Sequence, residues 1–141
     1  MKILEWDLQV KYLDTNIIIR YLVEKRDSQS EGLKDFFLDM QNGTLEAECL
    51  DIVLFQVIFV LKSFYKINKT EIIEGVKRIL SLKGFHMKNK RIIERCLELW
   101  EIHSGDIIDC YLVANMEFSG EKELFSYDKG IKQLGISIIE P

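Results

Sequence analysis

The alternation of short apolar runs with longer helical segments is the feature that most constrains this chain's fold. Short apolar runs occur at 10–14, 45–50, 85–87, 123–127 and 136–139. The only proline is Pro141, so no proline interrupts the longer segments between these runs. Strands separated by helices predict parallel crossover connections. We therefore expect an α/β fold with three α/β/α layers around a mainly parallel central sheet.

Capping signals set the expected ends of the helices. We predict helices over 15–23, 28–41, 52–65, 68–82, 89–103 and 106–118, and a short one over 129–134. Asp14 or Thr15 can cap the first of these helices, because their side-chain oxygens accept hydrogen bonds from the free amides of a first turn. Asn42-Gly43, Lys83-Gly84 and Ser104-Gly105 are expected stops.

Composition narrows the class of protein. The 141 residues predict a single domain over 1–141, and 48% hydrophobic residues suffice for a core. The net charge of −4 taken alone disfavours a broad basic face for nucleic acid. Cys49, Cys96 and Cys110 lie in apolar stretches without a CxxC pair, which predicts buried, reduced thiols. No signal segment or membrane span is expected, so we predict a cytoplasmic protein.

Acidic residues mark the candidate site. Asp14 closes the first strand and Asp128 follows a late strand, and the carboxyl ends of parallel strands face one crevice. Asp106 and Asp109 are three residues apart, on one face of a helix. Each acid also has a plain structural reading, as a helix cap or a solvated loop residue. Several carboxylates in one crevice raise each other's pKa or require a cation, and Mg²⁺ or Mn²⁺ prefers such oxygen ligands.

Motifs for other chemistries are missing from the sequence. It has no GxxxxGK[ST] or GxGxxG loop and no GxSxG elbow. The chemistry that remains is metal-assisted cleavage of a phosphodiester. A receiver-like or phosphatase domain with a phospho-acceptor Asp is the rival enzyme class. The first strand lacks the Asp-x-Asp spacing expected of that class.

Three segments in order resemble the PIN domain family, and within it the VapC-type toxin ribonucleases of toxin–antitoxin pairs. They are Tyr12-Leu13-Asp14-Thr15-Asn16-Ile17-Ile18-Ile19-Arg20, Asp106-Ile107-Ile108-Asp109 with its apolar helix, and Ser126-Tyr127-Asp128. The resemblance covers residues 11–141 and leaves residues 1–10 outside. It implies a Mg²⁺- or Mn²⁺-dependent endoribonuclease that acts on RNA, is held in check by a cognate antitoxin, and forms a homodimer.

The resemblance also implies roles for individual residues. Asp14, Asp109 and Asp128 correspond to catalytic, metal-binding acids, with Asp106 as a fourth metal ligand. Asn16 and Ser126 would orient these ligands or the waters of the metal through hydrogen bonds.

Gln56 departs from the family pattern, which places a Glu in the central apolar helix. Glutamine keeps an acceptor oxygen but removes the negative charge and any base function. Three interpretations remain open. The enzyme is active, with Asp106 compensating; it is a weakened or inactive module that still binds RNA or antitoxin; or Gln56 is a deliberate substitution that makes a toxic protein tolerable.

Overall fold

The computed structural model of the chain describes residues 10–24 and 28–141. The N-terminal residues in which we predicted no signal segment lie outside this range. The chain divides into two compact units. Unit 1 contains the described residues 10–24 and 28–88, and unit 2 contains residues 89–141.

Unit 1 alternates strands and helices around a three-stranded sheet. The strands lie side by side in the order β1-β2-β3, and both pairings are parallel, so a helical connection must return the chain between them. In chain order the elements are β1 (Lys11–Tyr12), α1 (Thr15–Val23), α2 (Glu31–Asn42), β2 (Ala47–Glu48), α3 (Asp51–Ser63), α4 (Lys69–Leu80) and β3 (Phe85–His86).

The core of unit 1 forms where α1 packs against α3. Ile18 of α1 and Leu54 and Val57 of α3 are fully buried, as expected of apolar residues at helical spacing. The ring of Tyr21 stacks on Phe37 of α2 with 3.8 Å between the ring centroids. Burying a Leu or Ile side chain contributes about 1.5–3 kcal/mol, so this packing holds the N-terminal end of α1 firmly against α3.

Gly84 allows the chain to pass close to its neighbours before β3. Its amide donates to the Met40 carbonyl at 2.8 Å, and its carbonyl accepts from the Ala47 amide at 2.9 Å. A Cβ atom at this position would lie 1.9 Å from the carbonyl oxygen of Leu45. Only glycine fits there without moving the backbone that leads into β2.

Unit 2 pairs two helices with a small parallel sheet. It contains α5 (Lys90–Ile102), α6 (Ile107–Ser119), β4 (Glu123–Phe125), a 3₁₀ helix (Lys129–Leu134) and β5 (Ser137–Ile139). The α5 helix packs along α6, and the fully buried Trp100 is the largest side chain of this core. Arg95 on α5 joins the two helices, with its Nε donating to Glu117 at 2.7 Å.

The predicted elements are present in order, and their ends differ by a few residues. The strands are shorter than predicted; β1 spans Lys11–Tyr12 rather than 10–14, because Asp14 is already the N-cap of α1. The segment 129–134 is a 3₁₀ helix. Every strand pair is parallel, as predicted, and the pairs divide between a three-stranded sheet and a two-stranded sheet.

The cysteine prediction is confirmed, since Cys49, Cys96 and Cys110 are free and buried. Burial raises the pKa of Cys49 to about 12, with further contributions from Asp51 and Glu48. Burial likewise raises the pKa of Cys96 to about 12. Thiols with such a pKa stay protonated and unreactive near neutral pH. Within the described part of the chain, no helix is both long and apolar enough to cross a membrane.

Candidate active site

Asp14 begins α1 and serves as its N-cap. Its Oδ1 accepts a hydrogen bond from the Thr15 amide at 2.8 Å, which satisfies one free amide of the first turn. The capping interpretation is therefore correct, and it leaves room for a second role. The other carboxylate oxygen accepts no hydrogen bond from any described residue. Asp14 is exposed, so this oxygen is open to a ligand.

A side-chain hydrogen bond joins the residue after Asp14 to the helix that carries Gln56. The Thr15 hydroxyl donates to Oε1 of Gln56 at 3.0 Å and thereby connects α1 to α3. Thr15 is only 8% exposed, whereas Gln56 is exposed. Our sequence reasoning considered Thr15 only as a cap. Its bond to Gln56 shows that the amide belongs to the surroundings of Asp14 rather than to the core of α3.

Glu48 is an acid that the sequence analysis missed. It lies in β2, in parallel register with Tyr12, and its carbonyl accepts from the Leu13 amide at 2.9 Å. Its side-chain Oε1 is buried and has no hydrogen-bond partner among the described residues. A buried carboxylate oxygen without a partner is costly, and a bound cation is one way to satisfy it. The signal in the sequence was an acid between the apolar Ala47 and Cys49.

Three acids of unit 2, Asp106, Asp109 and Asp128, are the candidate metal ligands of this unit. Asp106 is the N-cap of α6, with Oδ1 accepting from the Ile108 amide at 3.0 Å, and Asp109 follows in the first turn. Asp128 caps the 3₁₀ helix, with Oδ1 accepting from the Gly130 amide at 2.9 Å. The Ser126 hydroxyl accepts from the Asp128 amide at 2.9 Å, so Ser126 helps to fix the backbone that carries Asp128.

The pKa of Asp109 is sensitive to its surroundings and to the two neighbouring acids. Burial raises the pKa of Asp109, and the negative charges of Asp106 and Asp128 raise it further. Because all three acids supply oxygen ligands and repel one another, a hard divalent cation such as Mg²⁺ or Mn²⁺ fits the donor set. Within the described residues of either unit, however, no three His, Cys, Asp or Glu side chains converge closely enough to hold an ion by themselves.

Asn16 is a predicted site residue that follows Asp14 and Thr15 in the first turn of α1. Its side chain is exposed, and among the described residues it makes no hydrogen bond that would orient a ligand. Its role in holding ligands therefore stays a prediction.

Comparison with known proteins agrees with the order of these motifs. The family model for the PIN domain matches residues 11–136. The chain is also similar to a VapC ribonuclease from Aquifex aeolicus (strain VF5), with 24% identity over 132 residues, which are 94% of this chain and 97% of that protein. The family match confirms the predicted α/β/α fold class. Because it extends over nearly the whole chain, the chain belongs to the PIN domain family.

Proposed function

We propose that this PIN domain is a Mg²⁺- or Mn²⁺-dependent endoribonuclease and the toxin of a toxin–antitoxin pair. The observation that carries the proposal is the electrostatic interaction of three acids in unit 2, where burial and then the negative charges of Asp106 and Asp128 raise the pKa of Asp109. The likeness to a VapC ribonuclease over nearly the full length of both chains supports the same activity. The proposal includes a cognate antitoxin protein as partner, a homodimer as assembly and the cytoplasm as location.

We assign Asp14, Asp106, Asp109 and Asp128 as the residues that hold the divalent cation. Their positions in the family's motifs support this assignment. When bound, the cation supplies positive charge for the scissile phosphate and an acidified water as the nucleophile. The chain's own contribution is to fix the carboxylates. One oxygen of Asp14, Asp106 and Asp128 is tied to a helix amide, which restricts the rotation of the other oxygen.

Asp109 differs from these three acids because it is not a cap. Burial and its negative neighbours disfavour its ionised form, so Asp109 gains most when positive charge arrives. A bound cation would therefore favour the ionised form of Asp109. The same positive charge would offset the repulsion between the acids of unit 2 and a phosphate of the RNA.

The proposal is tested by cleavage of a fluorophore-quencher RNA in the presence of Mn²⁺ and in the presence of EDTA. We expect cleavage only with Mn²⁺, and a loss of at least about a hundredfold in Asp109→Asn. Asp39→Asn is the matched control, because Asp39 is an exposed acid on α2 outside the cluster. Mn²⁺-independent cleavage, or an Asp109→Asn variant as active as Asp39→Asn, would contradict the proposal.

A second candidate function is a catalytically weakened PIN module that binds RNA or its antitoxin. The observation that favours it is Gln56, which occupies the position where the family pattern places a carboxylate. Its Oε1 accepts a hydrogen bond from the Thr15 hydroxyl. The Gln56→Glu variant separates the two functions, because Thr15 can donate equally to a carboxylate. If the natural chain is weakened, Gln56→Glu cleaves about tenfold faster or more in Mn²⁺. Mn²⁺-dependent cleavage at equal rates by the two proteins would exclude this second candidate.

A further inference from the structure

Glu48 lies beside the strand that leads into Asp14. It pairs in parallel register with Tyr12, and its carbonyl accepts a hydrogen bond from the Leu13 amide at 2.9 Å, so the pairing continues one residue past β1. Because the two strands are parallel, β1 and β2 end at the same edge of the three-stranded sheet, at Tyr12 and Glu48. The register therefore fixes Glu48 one strand away from the segment that carries Asp14.

Glu48 and Asp14 belong to the same face of this sheet. Successive side chains of a strand alternate between the two faces, and residues in register on neighbouring strands share a face. The apolar face is defined by its buried residues, Leu13, Ala47 and Cys49. Asp14 keeps extended backbone angles (φ −89°, ψ 154°), so the alternation puts it on the opposite face, with Glu48. Strands are roughly 4.8 Å apart and two residues span roughly 6.6 Å, so the two Cα atoms are separated by roughly 8 Å.

The carboxylate of Glu48 forms no ion pair within the described part of the chain. Its Oε1 is buried and has no hydrogen-bond partner among the described residues. His86 is in register with Glu48 on β3, but its Nε2 lies 3.4 Å from Oε1 of Glu46. The neighbouring imidazole therefore interacts with a different acid. Because a buried carboxylate oxygen without a partner is costly, a bound ligand that satisfies it would account for an acid at this position.

Asp14 has an oxygen available for the same ligand. One of its oxygens accepts the Thr15 amide at 2.8 Å, and the other accepts no hydrogen bond from any described residue. The amide of Gln56, whose Oε1 accepts the Thr15 hydroxyl at 3.0 Å, is neutral and adds no negative charge. Glu48 is the acid that β2 supplies on the face of Asp14. Mg²⁺ is usually bound through one or two carboxylates together with several waters, so these two acids are sufficient ligands from unit 1.

We propose that Glu48 is a ligand of the divalent cation and the second carboxylate that unit 1 contributes beside Asp14. The inference rests on the proposed metal-dependent function and adds one residue to the four acids assigned above. The cation would satisfy the buried Oε1 of Glu48, for which the described residues provide no partner. Glu48 would also supply the negative charge that the neutral Gln56 does not.

The experiment is isothermal titration of the full chain with Mn²⁺ in the absence of RNA. Glu48→Gln keeps the size of the side chain and removes its charge, so we expect it to bind Mn²⁺ at least about tenfold more weakly than the natural chain. Glu46→Gln is the matched control, because Glu46 is two residues earlier on the same face and interacts with His86. It should bind Mn²⁺ as the natural chain does.

Two further measurements distinguish a ligand from a residue that only supports the fold. Adding Gln56→Glu to Glu48→Gln returns a carboxylate to unit 1 next to Thr15, and this double variant should recover most of the lost Mn²⁺ affinity. The melting temperature is measured alongside, in EDTA. Because Glu48→Gln removes the charge of a partly buried acid whose Oε1 has no partner, the variant should melt no lower than the natural chain.

Two results would overturn the inference. The first is a Glu48→Gln variant that binds Mn²⁺ as tightly as Glu46→Gln. The second is a loss of Mn²⁺ affinity that comes with a lower melting temperature and is not recovered by Gln56→Glu, because Glu48 would then act on the fold alone. Failure of the proposed function is seen separately, as a natural chain that neither binds Mn²⁺ nor cleaves RNA with it.

Discussion

The two units contribute unequal sets of candidate ligands. In unit 1, Asp14 is a capping acid whose neighbour Thr15 is bonded to the neutral amide of Gln56. In unit 2, Asp109 lies within electrostatic reach of Asp106 and Asp128. In unit 2, burial and two negative neighbours raise the pKa of Asp109, whereas unit 1 has the neutral Gln56 where the family pattern places a carboxylate, together with the partly buried acid Glu48. We therefore expect the affinity for Mn²⁺ to depend more strongly on Asp109 than on Asp14.

The largest expected effect tests this asymmetry by isothermal titration with Mn²⁺. We expect Asp109→Asn to lose about a hundredfold in Mn²⁺ affinity and Asp14→Asn only about tenfold, since Asp109 is the ligand under the strongest repulsion. Asp39→Asn serves as the control and should bind as the natural chain does. Equal losses for the two site variants would contradict the stronger role that we expect for Asp109.

A smaller effect concerns the fixed geometry of unit 1. Thr15→Val keeps the branched shape but removes the hydroxyl that bridges α1 to Gln56 on α3. Losing this largely buried hydrogen bond should lower the free energy of unfolding by about 1 kcal/mol in urea denaturation. Thr44→Val removes an exposed hydroxyl bonded to the Asp39 carbonyl and should cost less. A Thr15 variant no less stable than the Thr44 variant would mean that the bridge does not order unit 1.

The smallest effect concerns the crowding in unit 2 and has a defined sign. Because the folded pKa of Asp109 is raised, its ionisation destabilises the apo fold as pH rises from the unfolded value toward the folded one, and the penalty persists above it. Asp109→Asn should therefore raise the melting temperature slightly at pH 7 in EDTA. The gain should vanish at a pH low enough to protonate Asp109 in both states. A lower melting temperature for the variant at pH 7 would contradict the claim that ionised Asp109 destabilises the apo fold.

Much of this architecture was accessible from the sequence because local signals agreed. The bounds of α1 at 15–23 follow from an Asp cap and a run of apolar residues, and both are visible in the chain. The orphaned oxygen of Glu48 was not predictable, since its burial depends on strands brought together from distant positions. The bond from Thr15 to Gln56 likewise joins residues 41 positions apart. Periodicity determines which face is apolar, but it does not determine which polar atoms meet.

The capping role of the proposed metal-binding acids has a consequence for mutational scanning. Asp14, Asp106 and Asp128 each begin a helix, and replacing an N-cap by alanine costs about 0.5–2 kcal/mol of stability. An alanine scan scored by toxicity to cells would therefore mark these positions as essential even if no chemistry occurred there. Asparagine caps a helix about as well as aspartate, so the ratio of asparagine to alanine phenotypes separates chemistry from folding. Asp109 caps nothing, and it is the position where the two phenotypes should coincide.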